Sequence, residues 1–196
     1  MQATVFEGGF ADPVFTSQAV FRAVMDAFAR PGTIADLSDV AEAPAPIPAA
    51  AAAILLTLAD FDTPVWFEAE DSTAASQWLS FHTGAVTTPD AASASFAMLS
   101  EVSNLDSWDR FALGTAEYPD RSATLLLPVA GLIGGQRLTL RGPGIEETTV
   151  IAPLGLPEGF IETMQENARR YPLGFDVVLV CGGQALALPR TVRIEV

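Results

Sequence analysis

Few side chains in this sequence can act as a nucleophile or exchange a proton near neutral pH. The 196 residues include one histidine, His82, one cysteine, Cys181, and no lysine. A Schiff base with a carbonyl substrate or with pyridoxal phosphate needs a lysine amine, and a Walker-type phosphate loop needs its own lysine. A zinc site of histidine and cysteine would have at most two ligands here. The composition therefore excludes several classes of catalytic site, and no metal site is predicted.

His82 is the candidate catalytic residue, because histidine is the usual general acid or base of enzymes. It lies in the segment Ser80-Phe81-His82-Thr83-Gly84, at the end of a predicted helix. The alternative is a structural histidine that bonds carbonyl groups at a helix end. Any carboxylate that oriented the imidazole would come from a distant part of the chain.

Two carboxylates, Asp60 and Asp62, stand two residues apart where a predicted helix gives way to a strand. We expect this junction at a sheet edge of the kind where α/β proteins bind ligands. The pair could hold a divalent cation or orient an arginine of a partner. The alternative is a turn in which Asp62 caps through its side chain and Asp60 ends the helix.

Four further residues are candidates for ligand binding. Arg190 could bind a phosphate or phosphonate through its planar guanidinium, or it could pair with one of the 24 acidic residues. Thr115 belongs to a polar loop of the kind that carries sites or contacts. Gly142 and Gly144 flank Pro143 and could present backbone N–H groups to an anion, although a simple turn explains them as well.

Helical and strand patterns alternate along the chain, which predicts one α/β domain with a mixed sheet over residues 1–196. Helices are predicted after Thr16-Ser17 and up to Pro31-Gly32, over 49–60, after Asp71-Ser72, after Asn104 and over 157–171. Strands are predicted over 34–37, 65–68 and 95–99. Two hairpins are predicted, at Gly134-Gly135 between 123–133 and 136–141, and at Gly182-Gly183 between 175–181 and 185–188. The helix over 49–60 is apolar almost all round and should be buried, as should Cys181.

The overall charge restricts the partners. The net charge is −14, which disfavours nucleic acid and anionic membrane surfaces. The chain has no visible secretory signal and no apolar stretch long enough to span a bilayer, so a cytoplasmic location is expected. Only 17% of the residues are charged, which indicates either a surface covered by a partner or a large core.

Several segments, taken in order, resemble the PhnH family, a subunit of the bacterial carbon–phosphorus lyase system. They cover nearly the whole chain: Gly9-Phe10, Phe21-Arg22, Arg30-Pro31-Gly32, Leu55 to Asp60, Asp62 to Trp66, Phe81-His82-Thr83, Gly114-Thr115-Ala116, Gly142 to Ile145, Tyr171 to Asp176 and Pro189-Arg190-Thr191. Each motif alone is weak, but the ordered set is specific.

The resemblance implies a three-layer fold similar to the large domain of pyridoxal-phosphate-dependent transferases, without pyridoxal phosphate. It also implies a homodimer in isolation and assembly with sister subunits that transfer an alkylphosphonate to the ribose C1′ of a nucleoside triphosphate. A different, radical subunit then breaks the carbon–phosphorus bond, and one cysteine is too few for its iron–sulfur cluster. ATP and magnesium would enter only at the level of the complex.

Three functions follow from these observations. The first is an accessory subunit that is inactive alone and supports its catalytic sisters. The second is a subunit that contributes catalytic residues to a shared phosphonate-transfer site. The third is a stand-alone protein that binds a small anion such as a phosphonate or nucleotide.

Overall fold

A computed structural model describes residues 6–196. The helices are α1 (Pro13–Ala29), α2 (Ala49–Leu58), α3 (Thr73–Thr83) and α4 (Phe160–Arg169). The strands are β1 (Ile34–Asp36), β2 (Val65–Phe67), β3 (Phe96–Met98), β4 (Thr124–Pro128), β5 (Leu138–Arg141), β6 (Thr149–Ile151), β7 (Asp176–Cys181), β8 (Gln184–Leu188) and β9 (Arg193–Glu195). Two short 3-10 helices, Ala91–Ser93 and Leu105–Arg110, precede and follow β3 along the chain.

Six strands form one mixed sheet in the order β1-β8-β7-β4-β3-β2. The strands β2, β3, β4 and β7 are parallel, whereas β8 runs antiparallel to both of its neighbours. Four of the five residues of β4 are buried, which is typical of a central strand covered on both faces. The predicted α/β fold with a mixed sheet is confirmed. A second sheet, with the order β6-β5-β9, is antiparallel.

The main sheet separates two apolar cores, because successive residues of a strand point to opposite faces. On β7, Val178 and Val180 belong to one core, and Val177 and Leu179 belong to the other. Helices α1, α2 and α3 contribute to the first core. The second core is covered by the 3-10 helix Leu105–Arg110, by α4 and by the small sheet.

Helix α2 is the buried centre of the first core, as its sequence predicts. Its residues from Ala50 to Leu55 are at most 1% exposed. Five consecutive alanines allow neighbouring elements to approach the helix closely, and α1 packs along it. A helix with no polar face must be covered on all sides, and this arrangement fulfils that requirement.

Of the two predicted hairpins, one is confirmed and one is wrong. Strands β7 and β8 form the hairpin at Gly182, where φ is +55°. Strands β4 and β5 do not pair: β4 lies between β3 and β7, and β5 lies between β6 and β9 of the small sheet. The buried run of β4 pairs with strands distant in sequence, so Gly134-Gly135 joins two different sheets.

Helix α1 begins earlier than predicted. Its N-cap is Asp12, whose side chain accepts a hydrogen bond from the N–H of Phe15, and Pro13 occupies the first helical position. Thr16 and Ser17 therefore lie inside the helix. An aspartate followed by proline is a typical helix start, because proline has no N–H to leave unpaired there.

Other local predictions have mixed outcomes. Asn104 caps the following 3-10 helix by accepting from the N–H of Asp106 at 3.0 Å, as predicted. Ser72 occupies the N-cap of α3, but its side chain makes no capping bond. Cys181 is only partly buried, with its thiol 3.6 Å from the carbonyl of Ala130, because it ends β7 beside a turn. Among residues 6–196, no helix is both long enough and apolar enough to cross a membrane.

Candidate functional site

Several predicted site residues lie at one end of the main sheet, where the parallel strands begin. The turn that contains Asp60 and Asp62 directly precedes β2. The loop that contains Thr115 precedes β4, and Arg190 contacts Asp176, the first residue of β7. The sheet therefore brings these segments to the same end of its strands.

This is the amino end of the parallel strands. Open α/β sheets bind ligands at the opposite end, the carboxyl end of the parallel strands. The sequence predicts the turn of Asp60 and Asp62 at this ligand-binding end. The structure places it at the other edge, because a turn that precedes a strand must lie at the amino end of that strand.

The guanidinium of Arg190 is held by protein groups. It binds both carboxylate oxygens of Asp176, with Nε 3.2 Å from Oδ1 and Nη2 2.6 Å from Oδ2. Nη1 donates to the carbonyl of Pro119 at 2.8 Å, and Nη2 also donates to the hydroxyl of Ser122. The two charged side chains are 13% and 18% exposed. Four of the five guanidinium N–H groups are thus engaged, which leaves one for any ligand.

Asp60 organises its own turn. Its Oδ1 accepts from the N–H of Asp62 and from the hydroxyl of Thr63, both at 3.0 Å. Thr63 Oγ1 in turn accepts from the N–H of Asp60 at 2.7 Å. The turn is therefore capped by the side chain of Asp60. The interpretation of this segment as a turn is supported, but it assigned the cap to Asp62, which is exposed. One oxygen of the Asp60 carboxylate, Oδ1, is thus used within the turn.

The polar loop and the glycine turn also have structural roles. Thr115 is exposed, and its hydroxyl accepts from the N–H of Tyr118 at 3.0 Å. In the other turn, the N–H of Ile145 donates to the carbonyl of Gly142 at 3.2 Å. Gly144 has φ +82° and packs against the carbonyl of Ala29 so closely that a Cβ atom would overlap it. This geometry is that of a type II turn packed on the end of α1.

His82 lies under residues 7–9. Its ring packs against Trp78 and Phe81, with centroids 5.1 and 5.0 Å away. Gly9 lies against the imidazole, since a Cβ atom there would be 2.6 Å from Nδ1. The indole of Trp78 donates to the carbonyl of Glu7 at 2.8 Å, which fixes this segment on α3. Among the described residues, the buried Nε2 of His82 has no hydrogen-bond partner.

A polar network that the sequence did not reveal lies at the carboxyl end of β2 and β3. Glu68 accepts from the N–H of Ser100 at 2.8 Å, from the hydroxyl of Ser103 at 3.0 Å and from Arg110 at 3.3 Å. The guanidinium of Arg110 lies 4.3 Å from the ring centroid of Trp66. These residues follow two adjacent parallel strands, which is the signal that could have indicated them.

A cavity of about 340 Å³ opens between α4 and the 3-10 helix Leu105–Arg110. Its lining includes Asp106, Asp109, Glu162 and Glu166 and one cation, Arg170. Arg170 pairs with Asp109 at 3.0 Å. Within residues 6–196, no group of three or more acidic, histidine or cysteine side chains is arranged to hold a metal ion.

The fold and these contacts define an α/β protein with a mixed sheet whose candidate polar side chains mostly support neighbouring loops. Residues 8–195 match the family model described as "Bacterial phosphonate metabolism protein (PhnH)". The chain belongs to the PhnH family, which confirms the resemblance seen in its motifs.

Two curated relatives support this assignment. The chain is 48% identical over 195 residues to the alpha-D-ribose 1-methylphosphonate 5-triphosphate synthase subunit PhnH of Rhizobium meliloti (strain 1021). That alignment covers 99% of this chain and 98% of the relative. The chain is also 31% identical over 178 residues to the putative C-P lyase subunit protein HtxG of Stutzerimonas stutzeri, covering 91% and 85% of the two chains.

Proposed function

We propose that this chain is an accessory subunit of a carbon–phosphorus lyase complex in organic phosphonate catabolism. In this role it supports the transfer of an alkylphosphonate to the ribose C1′ of a nucleoside triphosphate. The observation that carries the proposal is the 48% identity, over almost the full length of both chains, to a subunit of ribose 1-methylphosphonate 5-triphosphate synthase.

The contacts of the candidate residues favour a supporting role over direct chemistry. Arg190 uses four N–H groups on Asp176, Ser122 and Pro119. Asp60 and Thr115 bind their own turns. Side chains that hold neighbouring loops in place are poorly available to bind a phosphonate or a phosphate. The same contacts argue against a stand-alone protein that binds small anions.

One observation favours the second candidate function, a direct catalytic contribution. Within the described part of the chain, the buried Nε2 of His82 makes no hydrogen bond, and such atoms are uncommon in folded proteins. In a shared site, displacement of the segment around Gly9 would open His82 to a substrate held by a sister subunit. His82 would then act as a general acid or base.

The proposal includes further properties of the subunit. The fold is that of the large domain of pyridoxal-phosphate-dependent transferases, but the chain binds no pyridoxal phosphate and no iron–sulfur cluster. It forms a homodimer when isolated and works in the cytoplasm with the other lyase subunits. Nucleoside triphosphate and magnesium act at the level of the complex. The absence of lysine and the single cysteine support the statements on cofactors.

Reconstitution tests the accessory role. The other synthase subunits are mixed with a nucleoside triphosphate and methylphosphonate, and release of the free base is followed with and without this chain. We expect release to require the complete set and the purified chain alone to release no base. Base release by the chain alone, or full activity of the sisters without it, would contradict the accessory role.

His82→Ala and His82→Gln separate the two candidate functions in the same assay. For an accessory role, both variants keep base release within about threefold of the original complex. A catalytic role predicts a loss of about 100-fold or more in both, with an altered pH profile. Thermal unfolding of each variant provides the control, because His82 packs against Trp78 and Phe81.

A further inference from the structure

Helix α1 has an exposed, mainly apolar stripe on one flank, next to the side that faces the core. Its core side consists of Val20, Val24 and Ala27. The stripe consists of Val14, Gln18, Phe21, Met25 and Phe28 and follows the spacing 4-3-4-3. Val14, Phe21 and Met25 are 64%, 48% and 50% exposed, whereas Phe28, at the end of the stripe, is partly buried against the first core. No apolar residue is needed at these exposed positions to fold the helix.

The spacing of residues in the α1 stripe indicates which kind of secondary structure would bind it. A seam that alternates steps of four and three residues lies along a single line on a helix and accepts the side chains of a second helix. An apolar helix face of this kind binds an amphipathic helix through residues spaced in the same way. A loop or a strand would not match this line over the 17 residues of α1.

The charge beside the stripe specifies the partner further. Arg22 is exposed at its margin, and no acidic side chain within the described residues forms a salt bridge with it. The next charges on the helix, Asp26 and Arg30, pair with each other at 2.7 Å. The margin of the stripe is therefore locally positive in a chain with net charge −14. A carboxylate on the partner helix would complement Arg22.

A second copy of this chain is a poor occupant. A symmetric pair of α1 helices, either parallel or antiparallel and centred on Phe21, brings Arg22 close to the Arg22 of the other copy, and like charges oppose such contacts.

We propose that the α1 stripe is a docking site for an amphipathic helix of a sister subunit, a helix with apolar residues at 3–4 spacing and a carboxylate facing Arg22. This inference rests on the accessory role proposed above. It adds which face of the chain docks and what kind of element it receives.

Affinity measurements between this chain and its co-purified sister subunits test the site. Phe21→Glu is expected to raise the Kd by about 30-fold or more, because it places a charge at the centre of a helix seam. Arg22→Glu is expected to raise it by about 10-fold through repulsion of the partner carboxylate. The control is Val102→Glu: Val102 is an apolar residue that is 88% exposed and lies in the loop after β3, outside α1, so the Kd should change less than about twofold.

A photo-crosslinking amino acid at Gln18 identifies the occupant. The crosslinked peptide should belong to a sister subunit and should lie on a helix with the spacing given above. A crosslink to a second copy of this chain, or to a non-helical segment, would overturn the inference.

The two proposals fail in different ways. If the unaltered chain does not bind the sister subunits, the accessory role and the docking site both fail. If it binds and the Phe21 and Arg22 variants bind equally well, only the docking site fails. Arg22 is exposed, so its variant keeps the fold even if the change at half-buried Phe21 weakens it.

Discussion

The pair formed by Arg190 and Asp176 should stabilise the whole end of the sheet where the parallel strands begin. In the variant Arg190→Ala, the carboxylate of Asp176 loses a two-point contact and keeps the N–H of residue 190, which lies 2.8 Å from Oδ1. The loop carbonyl of Pro119 and the hydroxyl of Ser122 lose their donor as well. The free energy of unfolding should therefore fall substantially.

The magnitude follows from the burial of the pair. Removing one partner of a fully buried pair costs about 3–5 kcal/mol, and these side chains are 13% and 18% exposed, so about 3 kcal/mol is expected. For a chain of this length, each 1 kcal/mol lowers Tm by about 2–4 °C, which gives about 6–12 °C. Urea unfolding provides the free energy and thermal unfolding provides Tm.

Arg141→Ala is the matched control, because it removes the same charge from a pair with Glu195 that is 53% and 57% exposed. Its cost should stay below about 1 kcal/mol. A double-mutant cycle of Arg190→Ala with Asp176→Asn should give a coupling of about 1–2 kcal/mol. If Arg190→Ala costs no more than Arg141→Ala, the idea that this pair supports the sheet end is refuted.

Two further predictions concern a glycine turn and the cap of the 3-10 helix Ala91–Ser93. Gly144→Ala should destabilise the protein by about 2–4 kcal/mol in urea unfolding, because the new methyl group overlaps the carbonyl of Ala29. The control is Gly134→Ala, which has φ +95° but open space around it and should cost only about 1 kcal/mol. Equal costs for the two variants would contradict this packing argument. The pKa of Asp90 is lowered from 3.8, mainly by a hydrogen bond from the hydroxyl of Ser93 and further by one from a backbone N–H. The ionised Asp90 therefore stabilises the folded protein at pH values above 3.8, and this stabilisation is lost as the pH falls through the lower pKa of the folded state. Ser93→Ala should raise the pKa of Asp90 in an NMR titration of side-chain carboxyl groups, and an unchanged pKa would exclude the hydroxyl as the main cause.

The sequence predicted elements whose patterns are local. The alanine-rich helix α2 was recognisable because it has no polar face, and the hairpin of β7 and β8 because its turn and both of its strands are contiguous. The run over 123–133 was misassigned because apolar character shows that a strand is buried without showing its partners. Strands β6 and β9 were not predicted: both pair with β5, and nothing in their local sequence indicates that pairing.

The candidate site was less predictable than the fold, because contacts between distant residues decide it. Arg190 is separated from Ser122 by 68 positions, and no local pattern reveals that they meet. The network of Glu68 with Arg110 spans 42 positions. In both cases the sequence offered a charged residue near a strand end, and only the arrangement of the strands showed which partners it has.

The borders of the main sheet restrict how this protein can join others. Its outermost strands, β1 and β2, have only three residues each. The outer side of β2 is already occupied by backbone hydrogen bonds between Val65 and residues Val86 and Thr88. Strands this short offer little template for a foreign strand, so neither sheet extension into a neighbour nor edge-to-edge aggregation is favoured. Contacts of the main sheet with other proteins are therefore expected to use side-chain surfaces, which can be altered one residue at a time without disturbing the backbone ladder.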